Sequence, residues 1–197
     1  MSDRETIDVY DARAADYAAK TDDYNRSDPR LAAFIAACPA GGRVLDLGCG
    51  PGMAAAEMAR AGLVVEATDA SAAMVEMAAQ HPGVSAKQAT FDDITGEAVF
   101  DGIWANFSLL HAPRADFPRH LAALHRALKP GGAFLIGLKL GEGEARDAIG
   151  RHYTYYTEDA LMDHLRQAGF TPTDIHHGRG EGLDGTTTDW ISVICHG

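Results

Sequence analysis

The chain has 197 residues, 46% apolar and 23% charged, with a formal net charge of −11, which suits one globular α/β domain and argues against a broad phosphate-binding face. No run of 18 apolar residues occurs, and Met1-Ser2-Asp3-Arg4-Glu5 has no apolar segment behind it, so neither a membrane span nor a secretory leader is expected. Three cysteines without paired spacing and nine histidines without an H-x-x-x-H or H-x-x-E-H pattern fit a reduced, cytoplasmic protein lacking a structural metal.

Residues 7–20 put Tyr10, Ala14 and Tyr17 on one face at i, i+4, i+7, the spacing of a helix. A second helix is expected from Asp28-Pro29 to Ala37, with proline at a tolerated first position. Residues 1–40 thus form a helical segment ahead of an α/β core over 41–197. That core opens on Val44-Leu45-Asp46-Leu47, an apolar strand that breaks into Gly48-Cys49-Gly50-Pro51-Gly52 before the helix former Met53–Arg60. Strand, glycine loop and helix N-terminus in that order present backbone N–H groups and a positive dipole end to a ligand. Leu63–Thr68 reads as a second strand closing on Asp69, 19 residues beyond Gly50, near the spacing at which α/β nucleotide folds place an acid on the ribose hydroxyls. Ser71 is an N-cap for 72–80, where Met74 either lines a ligand or fills the core. Val84–Gln88 is a third strand, and 98–107 a fourth. A helix over 114–128 carries Arg114, Arg119 and Arg126 on a solvated face, and Lys129-Pro130-Gly131-Gly132 leads into strand five. Beyond it, 141–147 reads as a flexible charged connection and 151–156 as an aromatic cluster. A helix runs from 158 to a stop at Gly169. Two β-rich runs, 171–176 and 187–195, are separated by the glycine-rich 178–185.

The stretch from Val44 to Gly52 resembles motif I of the class I S-adenosylmethionine-dependent methyltransferases, h-h-D-h-G-C/T-G-x-G, at every position. The nicotinamide fingerprint G-x-G-x-x-G fails, because Met53 stands at its sixth position. Tyr10–Tyr17 is similar to the family's Y/F-x-x-x-A-x-x-Y entry helix, Asp69–Met74 to its D-x-S-x-x-M, residues 98–107 to strand four, Ser108–Pro113 to the loop ending L-H, and Leu128–Gly132 to L-K-P-G-G. These matches span residues 10–138. Gly150–Leu161 and the compact size resemble bacterial members labelled tellurite-resistance-like.

The resemblance implies a three-layer Rossmann-like, seven-stranded sheet of order 3-2-1-4-5-7-6 with strand 7 antiparallel, residues 1–40 as a helical lid, and S-adenosyl-L-methionine as cofactor. It implies Tyr17 at the methionine end, Asp46 orienting the loop and the amino group, and Gly48, Cys49, Gly50 and Gly52 around the methionine portion. Asp69 would take the ribose, Met74 would pack beside the adenine, and Gln88, Ala70 and Ala89 are further expected cofactor contacts. Asn106 and Phe107 would lie beside the amino group and the departing methyl. Many members carry Asp after strand three; here Gln88-Ala89-Thr90 follows, leaving the adenine acceptor open between the Gln88 amide and a displaced acid.

A sulfonium methyl arrives activated, so the protein's task is to position donor and acceptor, with a base needed only for a protonated acceptor. His111, after strand four, is the expected base, since an imidazole accepts a proton near neutral pH; the alternative is a backbone contact within its loop. Tyr153, with its aromatic neighbours, is expected to wall the acceptor. The sequence lacks the N/D-P-P-Y/F of amino-directed DNA methyltransferases, a Pro-Cys nucleophile and the acidic cluster of metal-dependent catechol enzymes. The expected acceptor is therefore a small molecule, with neither nucleic acid nor membrane as partner, and the chain a monomer or homodimer. Two other readings stay open: a non-catalytic S-adenosylmethionine-binding regulator, and a Rossmann NAD(P) oxidoreductase, which Met53 disfavours.

Overall fold

The strands that carry the core alternate apolar side chains onto two faces, as period-2 geometry dictates. They are β1 (Arg43–Leu47), β2 (Val64–Asp69), β3 (Val84–Gln88), β4 (Phe100–Asn106) and β5 (Leu128–Lys139). Two short strands, β6 (Glu144–Arg146) and β7 (His152–Thr154), pair apart from the main sheet, and β8 (Thr171–Glu181) and β9 (Thr187–His196) complete it. The computed structural model describes residues 3–21 and 28–197. It orders the large sheet β3-β2-β1-β4-β5-β9-β8, with β9 antiparallel to both neighbours and the other pairs parallel. This is the expected topology, with β8 and β9 in the places of strands six and seven.

Among the described residues, seven α-helices accompany the sheet: α1 (Arg4–Ala12), α2 (Ala14–Thr21), α3 (Pro29–Ala37), α4 (Met53–Arg60), α5 (Ala72–Ala78), α6 (Phe117–Ala127) and α7 (Glu158–Gln167). On one face Leu45, Leu47, Ile103, Phe134 and Ile136 pack against Leu121 and Leu124 of α6 and Leu161 and Leu165 of α7. On the other, Val44, Val65, Trp104 and Leu135 meet Leu31 and Phe34 of α3, Met58 of α4 and Ala78 of α5. Residues adjacent in sequence thus feed opposite cores, giving three layers. Side-chain caps set the helix starts: Asp28 accepts from the Arg30 N–H, Ser71 from Met74 and Thr157 from Ala160.

Four sequence expectations change in detail. The helix over 7–20 is two helices, broken where Arg13 leaves helical geometry at φ −120° and ψ 22°. The helix expected from 114 begins as a 3-10 turn, Arg114–Asp116, and becomes α-helical at Phe117, with Pro118 in its first turn. The stretch 141–147 contains β6, held antiparallel to β7. Part of the glycine-rich 178–185 is strand, since β8 runs on to Glu181 in register with β9, and there a Cβ on Gly178 would stand 2.1 Å from the Trp190 ring. Glycine at that register makes room for the indole across β8.

Candidate active site

The carboxyl ends of β1, β2 and β4 converge where the strand order reverses, the place at which open α/β sheets leave a crevice. The glycines after β1 serve different neighbours. A Cβ on Gly48 (φ +71°) would meet the Ser108 Cβ at 2.3 Å, one on Gly50 (φ +52°) the Tyr17 ring at 3.3 Å, and one on Gly52 (φ +86°) the Ala78 Cα at 2.7 Å. Gly52 therefore lets α4 approach α5 and lines neither cavity at this site.

Two acidic residues stand in this cradle. Asp46 is 2% exposed, and its Oδ2 is buried without a hydrogen-bond partner. Burial, aided by the charge of Asp69, pushes its pKa up to about 7 against the pull of the Ala55 N–H. Asp69 accepts from the Gly50 N–H through Oδ2 and from the Ser71 N–H through Oδ1, both at 2.9 Å. Burial raises its pKa while these backbone N–H groups oppose the rise. It thereby ties β2 to the glycine loop and retains lone pairs for a diol. The Cys49 thiol is buried, donates to the Gly50 carbonyl at 3.4 Å, and is pushed up in pKa by desolvation.

The first cavity, with about 730 Å³ of empty space that includes open solvent, is lined by Tyr17, Gly48, Gly50, Asp69, Ala70, Met74, Ala89, Asn106 and Phe107. Asn106 Oδ1 is buried without a partner, and a Cβ on Gly137 would fall 2.3 Å from it. Phe107, a non-glycine residue at φ +57°, turns the chain sharply at the end of β4. The Gln88 Nε2 donates to the Ala70 carbonyl at 2.9 Å and its side chain does not line the cavity. Nor do the following acids reach it, since Asp93 caps Thr90 and Asp92 pairs with Arg119 at 2.7 Å. Thr90 and Phe91 line that end instead, together with Thr6 and Ile7 of α1. Sequence reading passed over these four because none belongs to a motif position.

Tyr10, Tyr17, Gly48, Gly50, Asn106, Phe107 and His111 also line a second, larger cavity, which adds Asp46, Cys49, Lys139, Arg151, Tyr153 and Trp190. His111 stands at the junction. Its Nδ1 is 2.6 Å from the His152 carbonyl, which puts the proton on Nδ1, and its Nε2 accepts from the Tyr10 hydroxyl at 2.9 Å. That hydroxyl in turn accepts from Arg151 Nη1 at 3.0 Å. Burial, with Arg151 and Lys139 nearby, lowers the imidazole pKa to about 3. Tyr153 is 3% exposed, its ring 4.7 Å from the His111 ring, and burial pushes its hydroxyl pKa up. Tyr155 and Tyr156 do not line the cavity; Tyr156 stacks on Phe117 at 4.5 Å. Among the described residues no group of three His, Cys, Asp or Glu is placed to hold a metal ion, and no helix is long and apolar enough to cross a membrane.

The sequence matches a family model described as a methyltransferase domain over residues 17–175. It is 30% identical over 153 residues to the ubiquinone biosynthesis O-methyltransferase of Dinoroseobacter shibae, covering 67% of this chain and 61% of that protein. With the protein of the same name from Ruegeria pomeroyi it shares 31% over 156 residues, 68% and 62% of the two chains. The chain thus spans about three fifths of the length of these curated relatives. Among solved structures, Burkholderia thailandensis 1,6-didemethyltoxoflavin-N1-methyltransferase, with bound 1,6-didemethyltoxoflavin and S-adenosylhomocysteine, aligns at TM-score 0.78 and 25% identity over 98% of this chain and 87% of that one. The [4+2]-cyclase SpnF aligns at TM-score 0.73 and 19% identity, over 96% and 93% of the two chains, a likeness of fold alone.

Proposed function

The chain belongs to the S-adenosylmethionine-dependent methyltransferase family, and on that premise we propose that it transfers the methyl of S-adenosylmethionine to a hydroxyl of a small aromatic acceptor. The observation that carries the donor half is the buried, unpartnered Asp46 Oδ2 beside the glycine cradle. A buried acceptor without a donor is costly, and a ligand ammonium meets that need. Asp69 would take the ribose, Ala70, Met74 and Ala89 line the same cavity beside it, and Asn106, Phe107 and Tyr17 would border the methionine end. When bound, S-adenosylmethionine supplies a sulfonium methyl whose C–S electron pair stays with sulfur; the chain binds, orients and excludes water.

The acceptor half draws on the second cavity and on relatives named O-methyltransferases. The low basicity of His111 supports a positioning role, holding Tyr10 and the β7 backbone, rather than the base role expected from its place in the sequence. The cations that depress His111, Arg151 and Lys139, equally favour a phenolate over a phenol, so the acceptor proton can leave to solvent. Tyr153 walls the acceptor. The tellurite-resistance-like likeness supplies no substrate. Calorimetry with S-adenosylhomocysteine and with NAD, followed by turnover on a panel of phenols, tests the proposal. Binding of NAD but not S-adenosylhomocysteine overturns it, and donor binding without turnover on any phenol leaves the non-catalytic binder.

A further inference from the structure

The second cavity holds two cationic donors that no described residue satisfies. Asp28, the N-cap of α3, takes Arg30 Nε and Nη2 at 2.9 and 2.6 Å and leaves Nη1 buried without a partner. Both residues of this pair are buried, at 8% and 7% exposure. The guanidinium lies 4.7 Å from the centre of the Trp190 ring. Trp190 is the direct cross-strand partner of Lys139, so the two side chains rise from one face of the sheet. The Lys139 ammonium sits 4.1 Å from the Tyr153 ring centre, is half-buried, and makes no hydrogen bond or ion pair with a described residue; burial lowers its pKa. The other cations named on the cavity are committed. Lys20 holds Glu181 and the Gly182 carbonyl, both at 2.7 Å, and Arg151 holds Asp147 at 2.8 Å.

Unsatisfied donors in a partly desolvated cavity cost free energy unless a ligand brings acceptors. These two also flank an aromatic surface made by Trp190 and Phe107, whose rings meet edge to face at 6.0 Å. We propose that the acceptor is a hydroxylated aromatic carboxylate, its ring packed on Trp190 and Phe107 and its carboxylate held by Arg30 Nη1 and Lys139 Nζ. The proposal rests on the methyl-transfer reading only for the identity of the reacting hydroxyl; recognition of the carboxylate stands on this cavity.

The test is titration of the protein, with and without saturating S-adenosylhomocysteine, by mono- and dihydroxybenzoates and by their methyl esters. The ester keeps ring and carbonyl but loses the charge. At least one acid should bind tenfold or more tighter than its ester, the scale of a charge-assisted hydrogen bond of roughly 1.5–3 kcal/mol. Lys139→Met should abolish that preference. Arg30→Lys, which keeps a cation for Asp28 but loses the fork, should reduce it at least about threefold; Lys139→Met decides the matter if Arg30→Lys fails to fold. Equal binding of acid and ester, an undiminished preference in Lys139→Met, or no binding of any acid at millimolar concentration overturns the proposal. The affinity for S-adenosylhomocysteine, measured on the same protein, reports on the donor site alone. Its absence would sink methyl transfer while the titrations without it still decide the carboxylate.

Discussion

Asp46 concentrates the conflict between stability and binding in one carboxyl group. Its folded pKa of about 7 lies above the ordinary carboxylate value of 3.8, so the folded chain binds the extra proton between those limits. Stability from this group is whole below about pH 4 and is lost as pH rises through 7. His111 runs the other way: with its pKa lowered from 6.5 to about 3, its contribution is lost as pH falls below about 6.5. Asp46→Asn should therefore make the ligand-free protein more stable at pH 8, on the order of a few kcal/mol, in chemical denaturation. The same variant should bind S-adenosylhomocysteine at least about tenfold more weakly. In the wild type, pairing with an ammonium requires the ionised carboxylate, so the affinity for S-adenosylhomocysteine should weaken toward about tenfold per unit below pH 7. A flat affinity from pH 6 to 8 by calorimetry would take Asp46 away from the ligand's ammonium. For His111, whose two ring nitrogens are already engaged, His111→Asn should hold turnover within about tenfold. Loss of the 10²–10⁴-fold typical of a removed base would restore that role.

At the scale of elements, α1 and α2 bury few side chains. Among their described residues only Thr6 and Ala14 are buried, so the pair is held largely by polar contacts. The Ser71 hydroxyl donates to Asp11 at 2.6 Å, Arg146 pairs with Asp3 at 2.7 Å, and Lys20 reaches Glu181 and Gly182. The solvent-exposed ion pairs among these contribute little each, so the partly buried bonds of Asp11 to Ser71 and of Tyr10 to His111 and Arg151 carry more of the docking. Hydrogen exchange across residues 4–21 should slow when S-adenosylhomocysteine is added, with Tyr17 closing over Gly50; unchanged exchange would make these docking helices. The break at Arg13 shows what periodicity could not supply. The i, i+4, i+7 spacing of Tyr10, Ala14 and Tyr17 is kept, but the edge-to-face meeting of the two tyrosine rings at 5.5 Å is a tertiary contact. Motif I and the five parallel strands were legible because each is written in contiguous residues, and Asp69 because it stands at a fixed distance beyond the glycine loop. The aim of Gln88 was not, since it depends on a carbonyl 18 residues away. Nor was the cluster of Arg30, Lys139 and Trp190, which only the pairing of β5 with β9 and the seating of α3 bring together.

For the whole molecule, the sheet divides two cores, and the crevice at the carboxyl ends of its strands borders both, through Leu47 and Tyr153 on one side and Cys49 and Trp104 on the other. A core residue remote from that crevice should change stability without changing ligand binding, because sites without shared partners add. S-adenosylhomocysteine at a hundred times its dissociation constant should stabilise the fold by about 2.7 kcal/mol. For a chain of this length that corresponds to a rise in Tm of roughly 5–11 °C, and NAD at the same concentration should give none. Leu165 of α7, fully buried on the far face of the sheet, provides the control. Leu165→Ala should cost about 2–5 kcal/mol through the cavity it leaves, lowering Tm while the ligand-induced rise persists. Asp69→Ala should also lower Tm, by leaving two N–H groups without their acceptor, and should abolish the ligand-induced rise. It surrenders the acceptor for the Gly50 and Ser71 N–H groups, and with it the ordered loop that a ribose diol would meet. Thermal scans of the three proteins, each with and without ligand, separate the cases. A wild-type-sized rise in folded Asp69→Ala would remove that carboxylate from the donor site, and loss of the rise in Leu165→Ala would mean that this core and the ligand site are not energetically separate.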